Sequence, residues 1–206
     1  MLTKNYPKTV ALRDGREIVI RLLREDDLDK LHRFFEELPE EDRVFLRHDV
    51  TDRDLLRRWT EQIDLDSITP LVAVDGDAIV GDATLHFEKS GWMQHIGAIR
   101  IVTAATHRAN GLGTCLTREL VRVAQIRDIE KLRALTLEDD EGSIRMLRGA
   151  GFELAAVLKE MGKDRKGKKC NISVMVNDVE DLRRILEDWY QDSTIPEFRA
   201  PGGGVA

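Results

Sequence analysis

Apolar and polar positions alternate through TVALRDGREIVIRLL, with Val10 and Leu12, then Ile18, Ile20 and Leu22, on the two sides of Asp14-Gly15. A period of two interrupted by Asp-Gly predicts two short strands joined by a tight turn. The acids Glu25, Asp26 and Asp27 then lead into Leu28, Leu31, Phe35 and Leu38, with Pro39 just beyond. That spacing predicts a helix whose positive N-terminal end is met by negative charge. Thr51 followed by Asp54 resembles a capping box and predicts a second helix carrying Leu55, Leu56, Trp59 and Ile63 on one side.

The run LVAV, an Asp75-Gly76 turn and AIVGDATLHFE predict a hairpin, and HIGAIRIVT a third central strand. The period then changes to 3.6 through Leu112, Leu116, Leu120, Val123 and Ala124. KLRALTLE predicts a strand and DEGSIRMLRGAG a short helix stopped by glycine. FELAAVLKEM and CNISVMV pair across the basic segment Lys163–Lys169. Residues 178–191 predict a closing helix with Leu182, Ile185, Leu186 and Trp189 along one side, placed to pack on its own core or in a homodimer. The expected organisation is one domain over residues 1–192, with a loosely ordered tail over 193–206. Hairpins followed by a strand–loop–helix unit give an α/β (α+β) class, with a central mixed, mostly antiparallel sheet flanked by helices.

Composition narrows the partners. The 206 residues carry a net charge of -6, which disfavours nucleic acid as a ligand, since phosphate backbones select a basic excess. No apolar run reaches the ~20 residues of a membrane span, and no signal-peptide core opens the chain, so a cytoplasmic protein is expected. Cys115 and Cys170 read as reduced thiols, Cys115 packed in a helix. The five histidines show no metal-ligand spacing, so no metal is expected.

The chemistry concentrates in IRIVTAATHRANGLGTCLTREL, where a strand ends near Thr103 and a helix begins near Gly113. Arg108-Ala109-Asn110-Gly111-Leu112-Gly113 places an arginine first and glycines fourth and sixth. Glycines admit close approach of backbone to a ligand, and a helix start supplies unpaired amides and a positive dipole end. A pyrophosphate suits that arrangement, with Arg108 adding a contact or capping the loop. A glycine-rich turn without a ligand has the same composition. Neither a Walker A loop nor G-x-G-x-x-G fits, because no Lys-Ser/Thr follows and the glycine spacing differs.

The stretch resembles motif A of the GNAT acyltransferases. Downstream, LTLEDDEGSIRMLRGAGF is similar to that family's strand, turn, short helix and closing Gly151-Phe152. Upstream, LRDGREIVIRLLREDDLDKLHRFFEELPEEDR resembles the GNAT domains of bacterial protein-lysine acetyltransferases, so the likeness spans about residues 9–176. It implies the GNAT fold, acetyl-CoA or another acyl-CoA as co-substrate, and an amine acceptor: a protein lysine, an α-amine or a small molecule. It also implies that Arg108, Asn110, Gly111, Leu112, Gly113 and Thr114 surround the pyrophosphate. Ile101, Val102 and Thr103 would pair their backbone with the pantetheine amides, and Asp140 and Ser143 would lie near the thiol end. The side chains of Leu112, Leu116 and Leu120 read independently as core.

Two positions depart from the pattern. Relatives with a similar strand carry a glutamate, the usual general base, where this chain has Ala98, and many carry a tyrosine, the general acid, where it has Leu147. A lysine amine is neutral about once in 2,500 molecules at pH 7, and general-base assistance is worth about 10²–10⁴ in rate. His86, Glu88, His95, Glu138 and Asp139 are the substitutes the sequence offers. The expected function is acetyl-CoA-dependent N-acyl transfer to an amine. The alternative is an acyl-CoA-binding sensor or regulatory module without catalysis.

Overall fold

The computed structural model describes residues 5–43, 46, 48–163 and 167–179. The closing helix expected over residues 178–191 and the tail over 193–206 lie outside the described residues, apart from Asp178 and Val179.

The Asp14-Gly15 signal becomes the turn between β1 (Lys8–Ala11) and β2 (Glu17–Leu22), with Gly15 at φ 85°. A single 3-10 turn over Glu25–Asp27 leads into α1 (Leu28–Glu36), whose Leu31, Phe34 and Phe35 are buried. Asp27 also holds Arg21 of β2 in a buried two-point ion pair, at 2.5 and 2.7 Å. α2 (Glu40–Arg43) is one turn, and α3 (Arg53–Glu61) follows. The cap of α3 corrects the expectation. It is Asp52, not Thr51, whose carboxylate accepts the amides of Asp54 and Leu55, while Thr51 donates its hydroxyl to Asp49 at 2.6 Å. With two oxygen-bearing residues side by side, the extended backbone of Asp52 decides which one caps.

β3 (Ile68–Asp75) and β4 (Ala78–His86) form the Asp75-Gly76 hairpin, and β5 (Ile96–Thr103) pairs antiparallel with β4. α4 (Leu112–Ile126), β6 (Lys131–Leu137) and α5 (Glu141–Gly149) come next, and β7 (Glu153–Lys163) pairs with β8 (Lys169–Asp178). The sheet order is β1-β2-β3-β4-β5-β6-β8-β7. Only β5 and β6 run parallel among these neighbours, because α4 carries the chain back to the same end.

Two apolar layers hold the helices on. Leu71, Ala83, Leu85 and Ile99 of the sheet bury against Leu112, Leu116 and Leu120 of α4. On the other face Val72, Val74 and Ile79 pack with Phe35 of α1 and Leu56 of α3. Alternation sends successive residues of β5 to opposite layers: Ile101 joins the α4 side and Val102 the α1/α3 side. Among the described residues no helix is long and apolar enough to cross a membrane.

Candidate functional site

The parallel pairing of β5 and β6 covers Ile96–Ile99 against Lys131–Ala134 and stops there. β5 continues to Thr103 and β6 to Leu137, where β6 pairs with β8 alone. The sheet therefore opens between Ile101–Thr103 and Leu135–Leu137. Backbone groups on the β5 side of that opening are an edge that an extended ligand can pair with.

The loop at the head of the opening has a built geometry. After a single 3-10 turn over Ala105–His107, Ala109 at φ 60° and Gly111 at φ 92° turn the chain into α4. The first bond of α4 runs from the Cys115 amide to the Gly111 carbonyl at 3.0 Å, and no side chain caps the helix. The amides of Leu112, Gly113 and Thr114 precede that ladder and form the positive end of the helix. A Cβ on Gly113 would fall 2.5 Å from Met146 Sδ, so glycine there also lets α4 approach α5. Leu112 contributes its amide alone, because its side chain is fully buried in the core.

Three ties hold this loop. The Asn110 carbonyl accepts the Arg13 amide at 3.1 Å. The buried His107 ring lies 2.7 Å from Arg16 Nη1 and 3.1 Å from Asp75 Oδ2, joining both hairpin turns. Arg108 pairs with Asp42 of α2 and donates to the Thr103 carbonyl at 3.4 Å. Arg108 thus spans the loop, the strand end and α2. Arg13 escaped the sequence reading: its side chain passes beside Gly111, with Cγ 3.8 Å from where a Cβ would sit.

Across the opening, Asp140 caps α5, its carboxylate accepting the Ser143 amide at 2.9 Å. The two residues named from the resemblance are therefore neighbours at one helix start. Cys115 is packed against the core, and burial pushes its thiol pKa up, which suits packing rather than nucleophilic attack.

A family model described as Acetyltransferase (GNAT) family matches residues 28–152. The chain belongs to that family. Solved structures agree on the fold. The GNAT domain of S. lividans PAT superposes with TM-score 0.69 at 19% identity, covering 84% of this chain and 97% of that one. Ribosomal-protein-alanine N-acetyltransferase from Brucella melitensis gives 0.68 at 25% identity, covering 77% and 98%. The yncA protein of Salmonella typhimurium, solved with its cofactor acetyl-CoA, gives 0.68 at 19% identity, covering 79% and 94%.

At the two positions where the resemblance led the sequence reading to expect a base and an acid, this GNAT protein holds Ala98 and Leu147. Ala98 sits on the α1/α3 face of β5, opposite His86 of β4 and beside Arg133 of β6. Leu147 is buried in the α4-side core. Of the substitutes read from sequence, only His86 stands on the face that carries Ala98. Glu88 and His95 line a separate polar pocket with Arg127 and Glu130, at the opposite end of β5 from the glycine loop. Glu138 accepts from Asn171 at 2.8 Å, and Asp139 is exposed in the turn after β6.

One carboxylate on that face was missed. Asp82 of β4 stands opposite Val102, two residues from Thr84, which stands opposite Arg100. Asp82, Arg100 and Val102 therefore point to the same side of the sheet. Burial pushes the Asp82 carboxyl from 3.8 up to about 7, opposed by the charge of Arg100.

Proposed function

We propose that this GNAT protein transfers an acetyl group from acetyl-CoA to an amine. The observation that carries the reading is the opening between β5 and β6 beyond Ile99, headed by the unpaired first-turn amides of α4. The amides of Gly111–Thr114, with Arg13 beside them, suit a pyrophosphate at the helix dipole's positive end. Ile101–Thr103 offer an edge for the two amides of the pantetheine arm, which directs the thioester toward the apex near Ile99 and Arg100. Backbone N–H groups there can polarise the thioester carbonyl as charge develops on its oxygen. The acceptor amine reaches it from the α1/α3 side. Orientation of the two reactants supplies much of the acceleration.

The test is release of free CoA from acetyl-CoA in the presence of a lysine peptide, a peptide with a free N-terminal alanine, and an arylamine. Release above the no-enzyme rate with any of them supports the reading. Background rates with all three count against it.

A second reading is favoured by Ala98 and Leu147 in the usual catalytic places: a module that binds acyl-CoA without turning it over. Calorimetry showing acetyl-CoA binding alongside background CoA release selects it.

A further inference from the structure

We propose that Asp82 is the proton acceptor for the attacking amine, serving in place of the glutamate absent at Ala98. The inference rests on acyl transfer as proposed above. Its basis is placement. The opening starts after Ile99, so the reacting carbonyl is placed past that row, and the α1/α3 face is the one that carries Ala98, where the family's glutamate would stand. Along β4, His86 stands at the row of Ala98, where β5 and β6 are still paired. Asp82 stands at the row of Val102, past the opening.

The surroundings of Asp82 select a base rather than a structural anion. Val72 of β3 lies opposite it on one side and Val102 of β5 on the other, with Phe35 and Leu56 of the covering helices in the same layer. Among the described residues, several charged or titratable groups share this face, Arg133 of β6 beside Ala98 being the most distant from Asp82 along β5. Arg100 of β5 is the charge that reaches Asp82. Arg21 of β2 is held by Asp27, Arg108 past the end of β5 pairs with Asp42 of α2, and His86 lies further along β4. A carboxylate in an apolar layer with one cation in range titrates near neutrality, where a base both accepts and returns a proton readily.

The step balances. An acceptor ammonium gives one proton to the Asp82 carboxylate, and the freed nitrogen bonds to the thioester carbonyl carbon. The adduct collapses with breakage of the carbon–sulfur bond. Its second N–H proton reaches the departing sulfur, giving CoA thiol and the amide, and Asp82 releases the first proton to solvent.

The experiment compares wild type with Asp82→Asn and His86→Gln, using acetyl-CoA with the lysine peptide and with the arylamine across the neutral pH range. Asp82→Asn should cut kcat/KM for the lysine peptide by about 10²–10⁴ and remove the limb centred near pH 7, leaving only the rise that follows the peptide amine's own loss of its proton at higher pH. The arylamine, already unprotonated, should lose far less, and acetyl-CoA affinity by calorimetry should hold. Equal losses for both amines would make Asp82 a structural residue and overturn the proposal. So would loss of the pH limb in His86→Gln with Asp82→Asn unaffected. A wild-type chain that binds acetyl-CoA but acetylates neither amine removes acyl transfer itself, and the proposal with it.

Discussion

The Asp82 carboxylate and the Arg100 guanidinium emerge on one face of the sheet from adjacent antiparallel strands, one diagonal step apart. The arginine lowers the carboxyl pKa, yet burial outweighs it and the pKa stands raised, near 7. Two consequences follow for stability. The folded chain keeps the Asp82 proton between about pH 4 and 7 while the unfolded chain releases it, so more protons are bound in the native state. Stability contributed at this site is therefore greatest below 3.8 and falls as pH rises toward about 7. A shift of that size sets a ceiling of about 4 kcal/mol, reduced by the solvent access Asp82 retains. Asp82→Asn should match wild type in thermal unfolding near the acid end and exceed it increasingly up to neutrality. A pH-independent difference would contradict the linkage. A stabilising change that removes activity is the signature of a site kept at a cost to the fold.

Ala98 gives a second handle. It lies opposite His86 and beside Arg133 and is partly exposed. Ala98→Glu should restore to Asp82→Asn at least about tenfold of its lost rate toward the lysine peptide. The same change should help wild type far less, because one base already serves. Equal gains in both backgrounds, read from free CoA release, would show that the two carboxylates do not share a task.

The difference between Ala98 and Asp82 also marks how far the sequence could be read. Gly111 and Gly113 were legible because their spacing is local: a strand, a loop and a helix start lie within a few residues of one another. The hairpins at Asp14-Gly15 and Asp75-Gly76 were legible for the same reason. The reading of Ala98 as a position without its base came instead from the resemblance to the family. Asp82 is a lone acid inside the strand GDATLH, and nothing near it in sequence distinguishes it. Its meaning comes from the register with Val102 and from the apolar layer laid over it by helices far away in the chain. Arg13 was hidden likewise, since only the pairing of its amide with Asn110 brings it to the loop. At α3 the failure was finer: Thr51 and Asp52 both qualify by type, and the backbone chose Asp52.

Gly111 and Gly113 should resist substitution for different reasons. At Gly111, φ is 92° and the nearest atom to an added Cβ is Arg13 Cγ at 3.8 Å, so space is free and conformation is the obstacle. Gly111→Ala should cost about 1–2 kcal/mol in unfolding free energy. At Gly113 the obstacle is Met146 Sδ, 2.5 Å away. Met146→Ala should therefore recover much of the stability lost in Gly113→Ala and none of that lost in Gly111→Ala. Thermal melts of the two double variants decide it.

Arg13 supplies the last prediction. Its backbone is fixed to Asn110 and its Cγ and Nε pass within 3.9 Å of the Cβ position at Gly111, so its charge sits beside the amides of the helix start. Opposite charges there strengthen phosphate binding and are screened by salt. Arg13→Ala should weaken acetyl-CoA binding by about tenfold, equivalent to about 1.4 kcal/mol, at low ionic strength. The deficit should shrink as salt is added. Because the contact lies at the loop that suits the pyrophosphate, dephospho-CoA should suffer the same loss as CoA in calorimetric titrations. A loss confined to CoA would place the Arg13 charge on the 3′-phosphate instead, and no loss for either would remove Arg13 from the site.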